Sequence, residues 1–205
     1  MIRTFFAAYT TLLDVLLPPR ATERAIRNLT LSKLAELASP QGPLPYHEPV
    51  VRALVWEIKY RKNPFALRLA GAFLFEQALS IVQDELGTPV LIPVPMHHSK
   101  KRQRGYNQTE ELCLAIMQDA THSFQYEPGA LVRTRNTVSQ QGLPRHRRLK
   151  NMLNAIKPAH PELVSGRSCI VVDDVATTGA TTHETKRALL EAGAKQVHIL
   201  TLAHS

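Results

Sequence analysis

Apolar and polar positions alternate along the chain in two different periods. Residues 168–172 form a continuous apolar run that predicts a buried strand, and residues 181–192 then repeat at helical spacing up to Gly193, which suits a helix end. A further apolar run over residues 196–203 predicts a last strand. Upstream, residues 90–94 and 130–133 read as short strands. Residues 107–119 read as a helix with Leu112, Cys113 and Ile116 on one face. Val51, Leu54, Val55 and Ile58 give residues 50–60 a helical period, and a longer, strongly apolar helix pattern covers residues 65–82 behind Pro64. Trp56, Phe73 and Phe75 are expected in the core. Residues 1–17 are apolar but carry Asp14 and have no small-residue cleavage site, so they read as an amphipathic or core-packing helix ended by Pro18 and Pro19.

Strands alternating with helices predict an α/β fold with a parallel sheet covered on both faces. The Pro/Gly-rich residues 39–49 are the candidate linker. They divide an N-terminal helical segment and linker (residues 1–48) from a main domain (residues 49–205). No apolar stretch is expected to span a bilayer, and a cytoplasmic protein with no membrane partner is the expectation. Cys113 and Cys169 are the only cysteines of the 205 residues; neither belongs to a metal-binding spacing, and both read as small core residues.

Net charge adds to this once it is located. The formal charge is +8, yet residues 86–109 hold four bases (Lys100, Lys101, Arg102, Arg104) and no acid. Residues 128–161 hold seven more bases, again with no acid, leaving 14 bases against 17 acids elsewhere. An ordinary solvated face mixes both signs, so these tracts are expected to meet something anionic.

The densest chemistry lies at residues 170–182. An apolar strand runs into Asp173 and Asp174 and then into Thr177, Thr178, Gly179, Ala180 and Thr181 at the start of a helix. A buried strand with a capped helix needs similar residues whatever it binds. Two adjacent carboxylates at a strand end, however, call for solvent, metal or ligand. Backbone N–H groups and hydroxyls at a helix N-terminus favour a phosphate. Two further constellations precede it. Pro93, Val94, Pro95 and Met96 end a strand abruptly ahead of His97, His98 and the Arg104-Gly105-Tyr106-Asn107-Gln108 run. Thr137, Gln140, Leu143, Arg148 and Asn151 follow Arg133 and Arg135 in an aperiodic, lid-like segment. His97 and His98 read as solvated or phosphate-contacting. Lys59 and Tyr60, at the end of an apolar helix, fit a snorkelling lysine and half-buried ring as well as a ligand contact.

The order of apolar run, acidic pair and threonine-rich loop resembles the signature of type I phosphoribosyltransferases for 5-phosphoribosyl 1-pyrophosphate (PRPP). Together with Ile58-Lys59-Tyr60, Pro93-Val94-Pro95, the Arg104–Gln108 run and the Thr137/Gln140/Leu143 spacing ending in Arg148 and Asn151, residues 50–205 resemble the ComF/GntX family of phosphoribosyltransferase-like proteins. The resemblance implies a Rossmann-like central parallel sheet flanked by helices, with a small hood. It implies that Asp173 and Asp174 hold the ribose hydroxyls and that residues 177–181 wrap the 5′-phosphate. Pro93 to Met96 would form the pyrophosphate loop, with Lys101, Arg104, Gln140, Arg148 and Asn151 around it. Mg²⁺ is expected to arrive with PRPP. Family members commonly carry an N-terminal four-cysteine zinc module; Leu17-Pro18-Pro19-Arg20-Ala21 has no cysteine, so no zinc is expected. The implied activity is phosphoribosyl transfer to an unknown acceptor with release of pyrophosphate. Two alternatives stay open: a non-catalytic protein of DNA uptake, with single-stranded DNA as partner, and a PRPP-sensing regulator.

Overall fold

The computed structural model describes residues 19–38, 42–82, 87–120, 123–136 and 152–205. The helix expected over residues 1–17 lies outside them. Two short helices, α1 (Pro19–Ile26) and α2 (Leu31–Leu37), lead to a two-residue strand β1 (Leu44–Pro45). Helix α3 (Pro49–Trp56) runs into a π-turn (Glu57–Arg61), then α4 (Pro64–Val82), β2 (Val90–Pro93), α5 (His98–Arg104) and α6 (Gln108–Asp119). After β3 (Gln125–Tyr126) and β4 (Leu131–Arg133) come β5 (Ile156–Pro158), a 3₁₀ turn (Pro161–Leu163), β6 (Ser168–Ala176), α7 (Ala180–Glu191) and β7 (Gln196–His204).

Five strands make one parallel sheet in the order β1-β7-β6-β2-β3. Strand side chains alternate between its faces. Leu91, Ile170, Val172, Leu200 and Leu202 join the core under α1 to α4 and α6. Val90, Ile92, Cys169, Val171 and Val197 join the core under α7 and the β4–β5 pair. Both faces are thus covered, as the near-continuous apolar strands require. Cys113 and Cys169 are free and buried, and burial raises the pKa of both thiols.

Helix α4 corrects one expectation. At 19 residues with a mean hydropathy of 1.5 it is long and apolar enough to cross a bilayer. Here it is a core helix: Ala66, Ala70, Leu74 and Ala78 are buried, and Gly71 lies so close to α6 that an added Cβ would sit 2.6 Å from the Cβ of Ala115.

Three more differences have local causes. The linker segment contains β1, an edge strand parallel to β7 with Leu44 fully buried; a two-residue strand with a proline is too short for any period to betray it, and an edge tolerates that proline. Residues 130–133 do not join the parallel sheet: β4 pairs antiparallel with β5 in a separate ribbon. The strand expected to end at residue 172 continues to Ala176, because β7 keeps pairing with it as far as Ala176 with His204.

Candidate functional site

A difference in strand length opens the site. Strand β2 stops at Pro93, paired with Val172, while β6 runs on beside β7, so Asp173 and Asp174 lose their neighbour on one side. The sheet order reverses there, and a crevice at the carboxyl ends of such strands is the general place for a ligand in open α/β sheets. A cleft of about 400 Å³ fills that position. It is lined by Asp173 to Thr177 and Gly179 to Thr182 on one side, and by Val94 to Met96, Lys100, Arg104 and Gln108 on the other; Lys59, Tyr60 and Arg133 close it.

The phosphate-like end is the turn into α7. Gly179 adopts φ +71°, a left-handed conformation that a Cβ would strain, and this turns the chain sharply into the helix. The amide of His183 bonds back to Gly179 O at 2.8 Å, and the first amides of such a helix face outward. The Thr178 hydroxyl is buried with no hydrogen-bond partner among the described residues, although Thr178 does not itself line the cleft.

The acidic pair divides its roles. Successive strand residues point to opposite faces, so Asp174 turns toward the π-turn and α6. There its Oδ2 meets the Lys59 ammonium at 3.0 Å and accepts from Gln108 Nε2 at 3.1 Å, while Oδ1 accepts from Val175 N–H at 2.8 Å. Burial alone would raise the Asp174 pKa, but Lys59 and these hydrogen bonds hold it below the usual carboxylate range. Lys59 mirrors this: burial opposes its charge, and Asp174 outweighs burial and raises its pKa. The Asp173 side chain accepts the Asp174 amide at 2.9 Å; burial first, and the neighbouring Asp174 charge second, push its pKa up to about 8. One acid of the pair is thus engaged internally, and the other is poised to change state on meeting a partner.

Cations gather at the opposite end. Burial lowers the pKa of Lys100, and the charges of Arg133 and Arg104 lower it further, so the three cations crowd one another. Arg133 is brought in by β4. The β4–β5 ribbon is held to α7 by buried Glu184, which pairs with Arg187 at 2.8 Å and accepts backbone hydrogen bonds from Ile156 and Asn154; Arg187 in turn donates to Ile156 O at 3.1 Å.

The Arg104–Gln108 run is a set of separate attachments. Arg104 lines the cleft and hydrogen-bonds Gln108. The Tyr106 hydroxyl donates to Ile58 O at 2.9 Å and accepts from Lys62 N–H at 3.1 Å, which fixes the π-turn and with it Lys59. Asn107 caps α6 and donates to Val94 O at 3.2 Å; Thr109 donates to the same carbonyl at 2.7 Å, pinning the loop after β2. From the other side, buried Glu57 holds the π-turn by accepting from Thr22 at 2.6 Å and from Asn63 at 2.9 Å.

Of the residues picked out from the sequence, Asp173, Asp174, Thr177, Gly179, Ala180, Thr181, Val94, Pro95, Met96 and Arg104 line one cleft. Pro93 is buried in β2 beneath it. Lys101 is a correction. It lies on the outer side of α5, 2.8 Å from Glu110, and Lys100 is the base that faces the cleft, because consecutive helix residues point about 100° apart. His97 is also corrected: it is buried as the cap of α5, its Nδ1 accepting from Ser99 N–H at 3.3 Å, while His98 is exposed. Gln140, Arg148 and Asn151, with the rest of the lid-like segment from residue 137, lie outside the described residues. Lys59, Gln108, Lys100 and Arg133 are the site residues missed or left undecided. Lys59 stood out at the end of an apolar helix, Gln108 in the Arg104–Gln108 run, and Lys100 and Arg133 in the two acid-free basic tracts, but no pattern in the sequence assigned any of them a definite place at the site.

Residues 113–205 match the phosphoribosyl transferase domain family. The chain is 32% identical over 161 residues to the DNA utilization protein YhgH of Escherichia coli O157:H7, covering 78% of this chain and 69% of that one. It is 32% identical over 117 residues to the competence protein ComFC of Bacillus subtilis, covering 57% of this chain and 45% of that one. Among solved structures, glutamine PRPP amidotransferase from B. subtilis superposes with a TM-score of 0.45 at 19% identity, over 72% of this chain and 30% of that one.

Proposed function

Because the chain belongs to the ComF/GntX family of phosphoribosyltransferase-like proteins, we propose that it binds PRPP in the cleft over β6 and transfers the phosphoribosyl group to an acceptor, releasing pyrophosphate. The observation that carries this reading is the placing of Asp173 and Asp174 at one cleft with the Thr177–Thr181 turn at one end and three cations at the other. That sequence of charges matches a ligand with a phosphate, a ribose and a diphosphate in line. Breaking the ribose C1–O bond leaves positive charge on the ring and negative charge on the departing diphosphate. The ionised Asp174 carboxylate stabilises the first, and Lys100, Arg104 and Arg133 the second. The described residues build no cluster of three metal-ligating side chains, and the cation already beside Asp174 is Lys59. Mg²⁺ therefore enters this reading as part of the substrate, carried on the diphosphate. Pyrophosphate release on mixing the protein with PRPP and a panel of nucleobases and amines tests the reading; no release with any of them, against a positive control enzyme, counts against turnover.

A second reading, nucleic-acid handling, has its own observation. The basic run in the sequence held one ring, Tyr106, but the fold sets Trp56 and Tyr60 next to it. The Trp56 and Tyr60 rings lie 5.5 Å apart, Arg61 lies 5.5 Å over Trp56, Arg104 lies 5.4 Å over Tyr60, and Lys62 lies 5.7 Å over Tyr106. Rings backed by cations suit stacked bases on a charged strand, and the relatives' names refer to DNA utilization and competence. Binding of single-stranded DNA that weakens with salt and with Tyr60→Ala supports it; no binding at low salt excludes it.

A further inference from the structure

Lys59 and Asp174 occupy each other at the point where the ribose is to bind. Oδ2 of Asp174 already takes the Lys59 ammonium at 3.0 Å and the Gln108 amide at 3.1 Å, and Oδ1 takes the Val175 amide at 2.8 Å. A sugar hydroxyl approaching Asp174 from the cleft meets a carboxylate already engaged by three donors, and of these only the Lys59 ammonium stands on a long flexible stem that can swing away. Lys59 is built to move at its tip and not at its base. Its backbone is set in a π-turn, a helical distortion frequent at functional sites, and that turn is clamped by the Tyr106 hydroxyl and by the buried carboxylate of Glu57. The ammonium ends a flexible four-carbon stem, and the Lys59 side chain as a whole is 26% exposed where it lines the cleft.

A second place for that ammonium lies within the same cleft. Gln108 bridges the two, donating to Asp174 and accepting from Arg104, and Tyr60, the neighbour of Lys59, lies against the Arg104 guanidinium. Lys59 is thus linked through Gln108 and Tyr60 to Arg104, which stands at the cationic end where the diphosphate is read to sit. A diphosphate carries several negative charges and attracts a nearby cation more strongly than one carboxylate does.

We propose that Lys59 is an exchanging cation: it neutralises Asp174 in the free protein, passes to the diphosphate of the bound ligand, and so releases the Asp174 carboxylate for a ribose hydroxyl. This rests on the phosphoribosyl reading and adds to it a reason for the cleft to prefer a ligand that carries both parts. Ribose 5-phosphate alone would take the carboxylate without offering the ammonium a new partner. Inorganic pyrophosphate alone would take the ammonium and leave the carboxylate without one. PRPP satisfies both at once.

Calorimetric titrations with ribose 5-phosphate, inorganic pyrophosphate and PRPP on the wild type, Lys59→Ala, Lys59→Arg and Asp174→Asn test it, with thermal melts confirming that each variant is folded. Asp174→Asn, close to isosteric, frees Lys59 and is expected to tighten pyrophosphate at least threefold while weakening ribose 5-phosphate at least tenfold. Lys59→Ala is expected to weaken pyrophosphate and PRPP at least tenfold while leaving ribose 5-phosphate unchanged or tighter, and Lys59→Arg to restore most of the pyrophosphate affinity. A Lys59 that only supports the fold would weaken both half-ligands together. That result, or unchanged pyrophosphate affinity in Asp174→Asn, overturns the exchange while wild-type binding of PRPP still upholds the phosphoribosyl reading. If the wild type binds none of the three ligands, that reading fails and the exchange with it.

Discussion

The Tyr106 hydroxyl donates to the carbonyl of Ile58 across 2.9 Å, joining two segments 48 residues apart in the chain. The same oxygen accepts from Lys62 N–H, so one side chain closes a turn whose carbonyls and amides a regular α-helix would have paired differently. It ties the loop between α5 and α6 to the residue just before Lys59.

Tyr106→Phe removes both bonds and leaves the ring. The expected cost is about 1 kcal/mol, as the part-buried Ile58 carbonyl loses the hydroxyl while the exposed Lys62 N–H keeps its bond to the Glu57 carbonyl. A lowered melting temperature, together with PRPP affinity reduced several-fold, is the predicted pair of results. A variant that melts like the wild type would show that the turn is held by Glu57 alone.

Asp173 gives stability a pH dependence of unusual sign for an acid. Its folded pKa is raised to about 8, by burial and then by Asp174, so the folded chain keeps a proton that the unfolded chain has already lost above its ordinary carboxyl pKa. Stability from this group is therefore full at acid pH and declines as pH rises from about 4 toward 8. Asp174 works in the opposite sense: held low, it contributes above its unfolded pKa and is lost as pH falls through the folded value. Asp173→Asn is expected to melt near the wild type at pH 5 and above it at pH 8, by at least about 1 kcal/mol. A wild type that gains stability between pH 5 and 8, with the variant following the same curve, would contradict this environment for Asp173.

Gly71→Ala tests packing away from the cleft. The new Cβ would meet Ala115 Cβ at 2.6 Å and Ala115 carbonyl carbon at 2.8 Å, backbone that cannot swing aside. Separating α4 from α6 is expected to cost about 1–3 kcal/mol. Denaturant melts should show the loss, while calorimetry on the folded fraction shows PRPP affinity within twofold of the wild type.

What the sequence made legible follows from which forces are local. The acids and the threonine turn are adjacent in the chain, so their chemistry could be read before any fold was known. The apolar strands read at residues 90–94 and 168–172 declared themselves because both faces are buried. Lys59 and Gln108 could not be assigned in the same way, since each acquires its role by meeting Asp174 across a distance in sequence that no period records. The exchange of Lys101 for Lys100 is a matter of one helical step. Residues 131–133 have a strand's composition, but composition does not say which partner a strand will take, and β5 takes it away from the sheet. Trp56 and Tyr60 read as a buried ring and an undecided one, and neither could be seen to face Arg61 and Arg104.

The claim on which the rest depends is that the two carboxylates and the threonine turn form one phosphoribosyl site. Titration calorimetry of PRPP, with and without Mg²⁺, into the wild type and into the Asp173→Asn/Asp174→Asn double variant measures it most directly. Saturable binding at one ligand per chain to the wild type, weakened at least a hundredfold in a double variant that remains folded, is the predicted result. A wild type that takes up no PRPP under either condition, or a double variant that binds it equally well, would contradict the account.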